Sequence, residues 1–140
     1  MHTKINWFEI PSTGFGRAIR FYETLFDTTL RLKKPDSDSL EMALFSDPGG
    51  IPRGCVTHDE SHSPSSNGTL LYLDDSPSID AVLARLVSAG GEIRMPNMEL
   101  PNDIGYIAHF IDTEGNLLAL HSQHSTWGLR MTIRQRIAGR

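Results

Sequence analysis

The sequence predicts a single α+β domain built from two tandem β-α-β-β-β modules, and three observations support this fold class. A chain of 140 residues is long enough for one well-buried domain and short for two. Its hydrophobic content of 39% and charged content of 21% are typical of a globular protein. The order of strand, helix and further strands in the first half also recurs in the second half.

The first module is predicted to span residues 4–57. Residues 5–10 are β-branched and aromatic, which indicates a strand, and the Pro and Gly of residues 11–14 end it. Apolar residues then recur at helical spacing from Phe15 to Leu25, which predicts an amphipathic helix. Three more strands are predicted, at residues 29–33, 40–45 and 51–57.

A polar, Ser-rich segment at residues 58–68 is interpreted as the linker to a second module at residues 69–122. This module begins with a strand at residues 69–74. A helix follows, which Ser78 caps and the glycines at 90 and 91 end. The remaining strands are predicted at residues 92–95, 106–111 and 117–122, with a Pro- and Asn-containing loop after the first of them.

Two pairs of anchors test whether the halves are a true repeat. The two helix starts, Gly14 and Ser78, lie 64 residues apart, and the turns that begin at Asp47 and Asp112 lie 65 apart. Two different elements that recur at nearly one offset indicate an internal duplication. One domain is therefore expected over residues 1–124, followed by a C-terminal tail at residues 125–140.

Charge and composition exclude several classes of function. The net charge is −4, and the tail carries four arginines without an acidic residue, so its charge is +4 and that of the rest is −8. No basic, aromatic-interleaved surface is expected elsewhere, so nucleic acid is not a predicted partner. No apolar run approaches the ~20 residues of a membrane span, and no secretory signal is visible. One cysteine, Cys55, favours a reducing compartment and a cytoplasmic location.

Two motifs resemble the vicinal oxygen chelate superfamily, which includes glyoxalases, bleomycin-resistance proteins and extradiol dioxygenases. Residues 16–22 (Gly-Arg-Ala-Ile-Arg-Phe-Tyr) are similar to its helix motif, and residues 112–116 (Asp-Thr-Glu-Gly-Asn) to its hairpin turn. The resemblance covers residues 4–122. It implies two curled sheets that form a cleft, a small-molecule ligand and a homodimer. Members usually hold a divalent metal with four His or Glu side chains from the first and fourth strands of each half.

The four metal-ligand positions of the resembled family are not filled by the usual residues in this chain. When the family's metal-ligand positions are mapped onto this sequence one at a time, three of them fall on Trp7, Gly54 and Ala119. The register of the strand at 69–74 leaves the remaining one open between Leu70, Leu71 and Tyr72. Because a divalent cation needs several N, O or S donors that converge on one point, the expectation is a member without the standard metal and without a cofactor.

Two residues that carry chemistry are expected beside these positions. Strand side chains alternate between faces, so Glu9 shares a face with Trp7, and His121 shares one with Ala119. Glu9 and His121 are candidates for a catalytic acid–base pair, since imidazole titrates near neutral pH. The alternatives are a buried polar pair that specifies packing, or half of a shifted metal site. Candidate ligand-binding residues are Trp7, Tyr72, His109 and Ala119.

Three functions remain open from the sequence. The first is a glyoxalase-like small-molecule binding protein or enzyme, which, if catalytic, moves a proton next to a carbonyl or enol as a lyase or isomerase does. The second is a non-catalytic protein that sequesters a drug or metabolite, as bleomycin-resistance proteins do. The third is a metal-dependent lyase or dioxygenase with a rearranged site. The superfamily hosts many chemistries on one scaffold, so the fold does not decide among them.

Overall fold

The computed structural model of this chain describes residues 5–33, 41–74 and 78–123. Within these ranges the chain forms two mixed four-stranded sheets and two helices, which confirms the predicted α+β class. The tail at residues 125–140 lies outside the described residues. The elements in chain order are β1 (Phe8–Pro11), α1 (Phe15–Leu25), β2 (Arg31–Lys33), β3 (Glu41–Ser46), β4 (Pro52–His58), β5 (Tyr72–Leu73), α2 (Ile79–Leu86), β6 (Glu92–Leu100), β7 (Gly105–Ile111) and β8 (Leu117–Ser122).

The two sheets have the same topology. The first has the order β1-β4-β3-β2 and the second the order β5-β8-β7-β6. In each sheet the first strand of the module pairs parallel with its fourth strand, and the other pairings are antiparallel. This identity of strand order confirms the tandem repeat that was inferred from the spacing of helix starts and turns.

One hydrophobic core joins the two modules. The amphipathic helix α1 buries Ala18, Phe21, Tyr22 and Leu25, and α2 buries Ile79, Val82 and Leu86. These side chains pack in one cluster with residues from both sheets, among them Val56, Phe110 and Leu120. Neither helix among the described residues is long and apolar enough to cross a bilayer.

The helix starts are capped in two different ways. Ser78 caps α2 as predicted, because its Oγ accepts a hydrogen bond from the Ala81 N–H at 3.4 Å. Gly14, the N-cap of α1, has no side chain to accept such a bond. Instead, Glu114 from the β7–β8 turn reaches the first module and accepts a hydrogen bond from the Gly14 N–H at 2.6 Å.

Two predicted strands differ most in length from those observed, and β1 and β2 also begin later than predicted, at Phe8 and Arg31. The strand predicted at residues 69–74 is reduced to Tyr72–Leu73. The strand predicted to end at Met95 instead runs to Leu100, through the residues predicted as a loop. Register shifts between Ile93 and Met95 and between Met95 and Met98 accommodate the extra residues. Pro96 is tolerated because β6 is an edge strand, where a missing N–H need not break a ladder.

Candidate functional site

Each sheet presents one face to the helices and one face away from them, here called the helix-distal face. On the helix-distal face of the first sheet, Glu9, Cys55 and Leu44 lie side by side across β1, β4 and β3. Tyr72, Ala119 and His109 lie side by side across β5, β8 and β7 of the second sheet. Because the sheets repeat each other, these two rows occupy equivalent positions in the two modules.

The second row contains a direct contact between two predicted ligand-binding residues. The Tyr72 hydroxyl and the His109 Nε2 are 3.1 Å apart, at hydrogen-bond distance, and their ring centroids are 5.8 Å apart. Tyr72 and His109 lie on the strands that flank β8, so the two side chains must meet above β8. They can do so because Ala119 between them carries only a methyl group, and that residue is fully buried. Tyr72 itself is 42% exposed and accessible to a ligand.

The first row contains an exposed carboxylate and a buried thiol. The Cys55 Sγ lies 3.9 Å from the Glu9 Oε2, and the cysteine has no exposed surface. Burial, and then the Glu9 carboxylate, raise the pKa of the Cys55 thiol to about 12. The thiol is therefore protonated at neutral pH and is not a nucleophile, since only the thiolate reacts readily.

The structure shows that Gly54 does not occupy the metal-ligand position that the family resemblance assigned to it. Gly54 pairs with Phe8 and Phe45, whose rings pack against the core, so it faces the helices rather than the helix-distal face. A register shift between Phe45 and Ser46 displaces β4 by one residue relative to β8. The position that matches Ala119 in the first module is consequently Cys55.

Glu9, and not Trp7, occupies the first-strand position of that row. Trp7 precedes β1 and is 41% exposed. The first-strand position of the second module was left open between Leu70, Leu71 and Tyr72. In the structure, Tyr72 is the residue that pairs with Ala119. The matched positions of the two modules are therefore Glu9, Cys55, Tyr72 and Ala119.

His121 lies two residues beyond Ala119 on β8 and shares its face, where it pairs with Ile107. Its Nε2 is 2.7 Å from the carbonyl oxygen of Ile104. A carbonyl accepts but cannot donate, so Nε2 carries the proton and donates it, which leaves Nδ1 as the basic nitrogen.

Glu9 and His121 have different neighbours in this structure. Glu9 lines a cavity of about 260 Å³ beneath the linker, together with polar residues such as His62, Ser65 and Asn67. His121 does not line that cavity, and no hydrogen bond joins it to Glu9 in the parts of the chain that the structure describes. The proposed acid–base pair thus stays a prediction, with its two members on different sheets.

The side chains at the matched positions do not fit a divalent cation. They offer one carboxylate, one protonated thiol, one phenol and one methyl group, whereas zinc and similar ions need three or four N, O or thiolate donors. Among residues 5–33, 41–74 and 78–123, no group of three or more His, Cys, Asp or Glu side chains is arranged to hold a metal ion.

Most of the chain matches the model of a known protein family. The family model described as Glyoxalase/Bleomycin resistance protein/Dioxygenase superfamily matches residues 4–120. The chain therefore belongs to the glyoxalase/bleomycin-resistance/dioxygenase superfamily. A comparison with curated proteins gives no significant match to the sequence.

Solved structures with the same fold carry different activities in their names. A hypothetical protein, SA1046 from S. aureus, superposes with a TM-score of 0.60 at 14% identity, over 87% of this chain and 94% of that one. A glyoxalase I mutant from Zea mays gives 0.64 at 20% identity, over 82% of this chain but only 44% of the maize chain. A mutant of the fosfomycin resistance protein FosX from Listeria monocytogenes, complexed with Mn(II), gives 0.58 at 16% identity, over 94% and 99%. At these identities the likeness shows the fold alone.

Proposed function

We propose that this protein binds a small polar molecule on the helix-distal face of its sheets, without the divalent metal usual in its superfamily. The observation that carries the proposal is the hydrogen bond between Tyr72 and His109 above Ala119. It places an exposed donor and acceptor pair in the row that matches Glu9 and Cys55. A phenol and an imidazole together can donate to a carbonyl oxygen or accept from a hydroxyl, which gives orientation to a small ligand.

If the protein is an enzyme, Glu9 and His121 are the groups proposed to move a proton next to a carbonyl or enol. The Ile104 carbonyl supports this role for His121, because it fixes the tautomer and leaves Nδ1 to accept a proton. The general type is lyase- or isomerase-like acid–base chemistry. Trp7, two residues before Glu9 in the sequence, is proposed to cover the ligand.

A non-catalytic role in sequestration is the second candidate. It is favoured by the separation of Glu9 and His121 onto different sheets without a hydrogen bond between them in the described chain. In this case the Tyr72–His109 pair binds the ligand and no group transfers a proton.

The metal part of the proposal has a direct test. Protein purified without chelator is analysed for metals, and the metal-free protein is titrated with ZnCl₂ and MnCl₂ by calorimetry. We expect substoichiometric metal and only weak binding, because Glu9 is the one ordinary metal ligand at the four matched positions, and Glu9 and His109 lie on different sheets. A tightly held, stoichiometric divalent ion would point to the rearranged metal site instead.

The binding part is tested by NMR titration with pyruvate and acetoin as probes. We expect shifts at Tyr72, His109 and Ala119, and about two- to tenfold weaker binding in Tyr72→Phe, the effect of one lost hydrogen bond. Tyr106→Phe, on the core face of β7, is the matched control and should bind as the wild type does. Equal affinity of both variants contradicts the proposed role of Tyr72.

The same probes separate catalysis from sequestration. Exchange of the probe's α-hydrogens with D₂O, followed by NMR, reports proton transfer next to a carbonyl. An acid–base role predicts that Glu9→Gln and His121→Ala slow this exchange about 10²-fold or more. Binding without any protein-dependent exchange supports sequestration.

The assembly proposed for this protein is a homodimer in the cytoplasm. Proteins of this superfamily are often dimeric, and the single buried Cys55 suits a reducing compartment. Sedimentation velocity should give twice the monomer mass of 15.6 kDa. A monomer mass throughout the micromolar range argues against the dimer.

A further inference from the structure

A second, larger groove lies between the start of β1 and β5, away from the row that contains Cys55. Its volume is about 770 Å³, within the range of small-molecule sites in proteins. Four segments line it: residues near the start of β1, residues 26–28 after α1, residues 45–48 at the β3–β4 turn, and residues 71–74 around β5. Tyr72 is shared with the row proposed above, whereas Glu9, His109 and His121 do not line this groove.

The wall of this groove is aromatic. Phe8 and Phe45 have ring centroids 5.6 Å apart, and Phe26 meets Phe45 edge-on at 6.3 Å. All three are only half-buried although they pack against the core. Their rings therefore offer apolar surface and negative π-faces to a ligand in the groove.

The rim of the groove has an excess of negative charge. Among the described residues that line it are three aspartates, Asp27, Asp47 and Asp74, and one cation, Arg53. Arg53 forms an ion pair with Asp47 at 2.9 Å, so these two charges offset each other. The backbone N–H of Ile51 and the Arg53 guanidinium lower the pKa of the Asp47 carboxyl, which keeps it ionised. Asp27 is exposed and adds a negative charge to the rim.

We propose that this groove is a separate binding site for a planar organic cation. Aromatic walls attract such a ligand through stacking and cation–π contacts, and the rim carboxylates attract it through charge. An anion of the same size is repelled by the same carboxylates. This site goes beyond the function proposed above, because its charged residues play no part in the Tyr72–His109 pair.

Asp27 offers a conservative test of the site. Its φ is 48°, in the left-handed region that asparagine also tolerates, so Asp27→Asn removes the charge without straining the backbone. Asp103 has a similar φ of 58°, is exposed and does not line the groove, which makes Asp103→Asn a matched control.

The probe is berberine, a planar aromatic monocation, titrated by fluorescence, with the anion 8-anilinonaphthalene-1-sulfonate for comparison. We expect berberine to bind more tightly than the anion and to bind more weakly as NaCl screens the rim. Asp27→Asn should raise the Kd about three- to tenfold, whereas Asp103→Asn should leave it within about twofold. Equal binding of the anion, or equal effects of the two variants, would overturn the proposal.

NMR mapping separates this site from the one proposed above. Berberine should shift amide resonances at residues 26–28 and 45–48, and Asp27→Asn should leave the pyruvate and acetoin titrations unchanged. Shifts confined to His109 and His121 would overturn a separate site. Loss of pyruvate and acetoin binding would contradict only the earlier proposal.

Discussion

At the scale of single residues, Glu114 of the second module contacts three residues of the first. Its Oε1 accepts from the N–H groups of Thr13 and Gly14, and its Oε2 lies 2.8 Å from the Arg17 Nε. Burial alone would raise the pKa of Glu114, but the hydrogen bonds from Arg17, Gly14 and Thr113 outweigh it and lower the pKa to about 2. The ionised carboxylate therefore replaces the side-chain cap that Gly14 lacks.

Glu114→Gln should lower the free energy of unfolding at pH 7 by about 1–3 kcal/mol, because it removes charge-assisted hydrogen bonds at the start of α1. In the folded protein the pKa of Glu114 lies below its ordinary value of 4.5. The wild type is therefore more stable than Glu114→Gln by the full amount above about pH 5, and this difference in the free energy of unfolding is lost as the pH falls toward 2. Urea denaturation at pH 7 and pH 3 measures both effects.

Glu99→Gln, at an exposed position on β6, is the control for this substitution and should change little. A difference between Glu114→Gln and wild type that does not shrink on acidification would show that the carboxylate's charge is not what stabilises the helix start.

At the scale of elements, the register of β4 depends on the contact between Phe8 and Gly54. A Cβ at Gly54 would overlap the Phe8 ring, including its Cγ at 2.6 Å, so the ring could not remain in place. The absence of a side chain at residue 54 therefore lets Phe8 lie across β4 and reach Phe45. This packing turns Gly54 toward the core and Cys55 toward the helix-distal face.

Gly54→Ala should consequently destabilise the fold by about 1–3 kcal/mol, the usual effect of overpacking a core. Gly16→Ala, in the first turn of α1, should have the opposite sign, a gain of up to about 1 kcal/mol, since alanine favours the helical conformation more than glycine does. The nearest atom to a Cβ there is an Arg20 guanidinium nitrogen at 3.4 Å, which can move. Thermal unfolding of the two variants tests both; a neutral Gly54→Ala would contradict the assigned Phe8 packing.

At the scale of the whole molecule, buried polar contacts join the two modules in addition to the apolar core. The Tyr22 hydroxyl of α1 donates to the Asp112 carboxylate at 2.6 Å, and the Asn116 amide donates to the Pro11 carbonyl at 2.8 Å. Burial first, and then the Asp112 charge, raise the pKa of Tyr22 well above its ordinary value, so it remains a donor. Separating the modules would leave these groups without partners.

We therefore expect the two modules to unfold in one transition. Methyl NMR signals of Val56 in the first module and Leu120 in the second should disappear at the same urea concentration. Two separate midpoints would mean that each module is stable without the other, contrary to the shared core.

The sequence determined the features that depend on local patterns. Helices α1 and α2 were predicted from apolar spacing and the Ser78 cap, and the tandem repeat from the spacing of helix starts and turns. Glu9 and His121 were predicted to share faces with the family's ligand positions because strand side chains alternate, and in the structure Glu9 occupies a matched position itself. These inferences need only patterns and spacings along the chain, and not the pairing of distant strands.

Tertiary structure decided what depends on contacts between distant strands. The bulge beside Phe45 moved the matched position from Gly54 to Cys55, and the small side chain of Ala119 let Tyr72 meet His109 across β8. Glu114 capped a helix 100 residues earlier in the chain. A one-residue shift in strand pairing reverses which side chains face a site, and that shift is fixed by packing against other strands rather than by the strand's own residues.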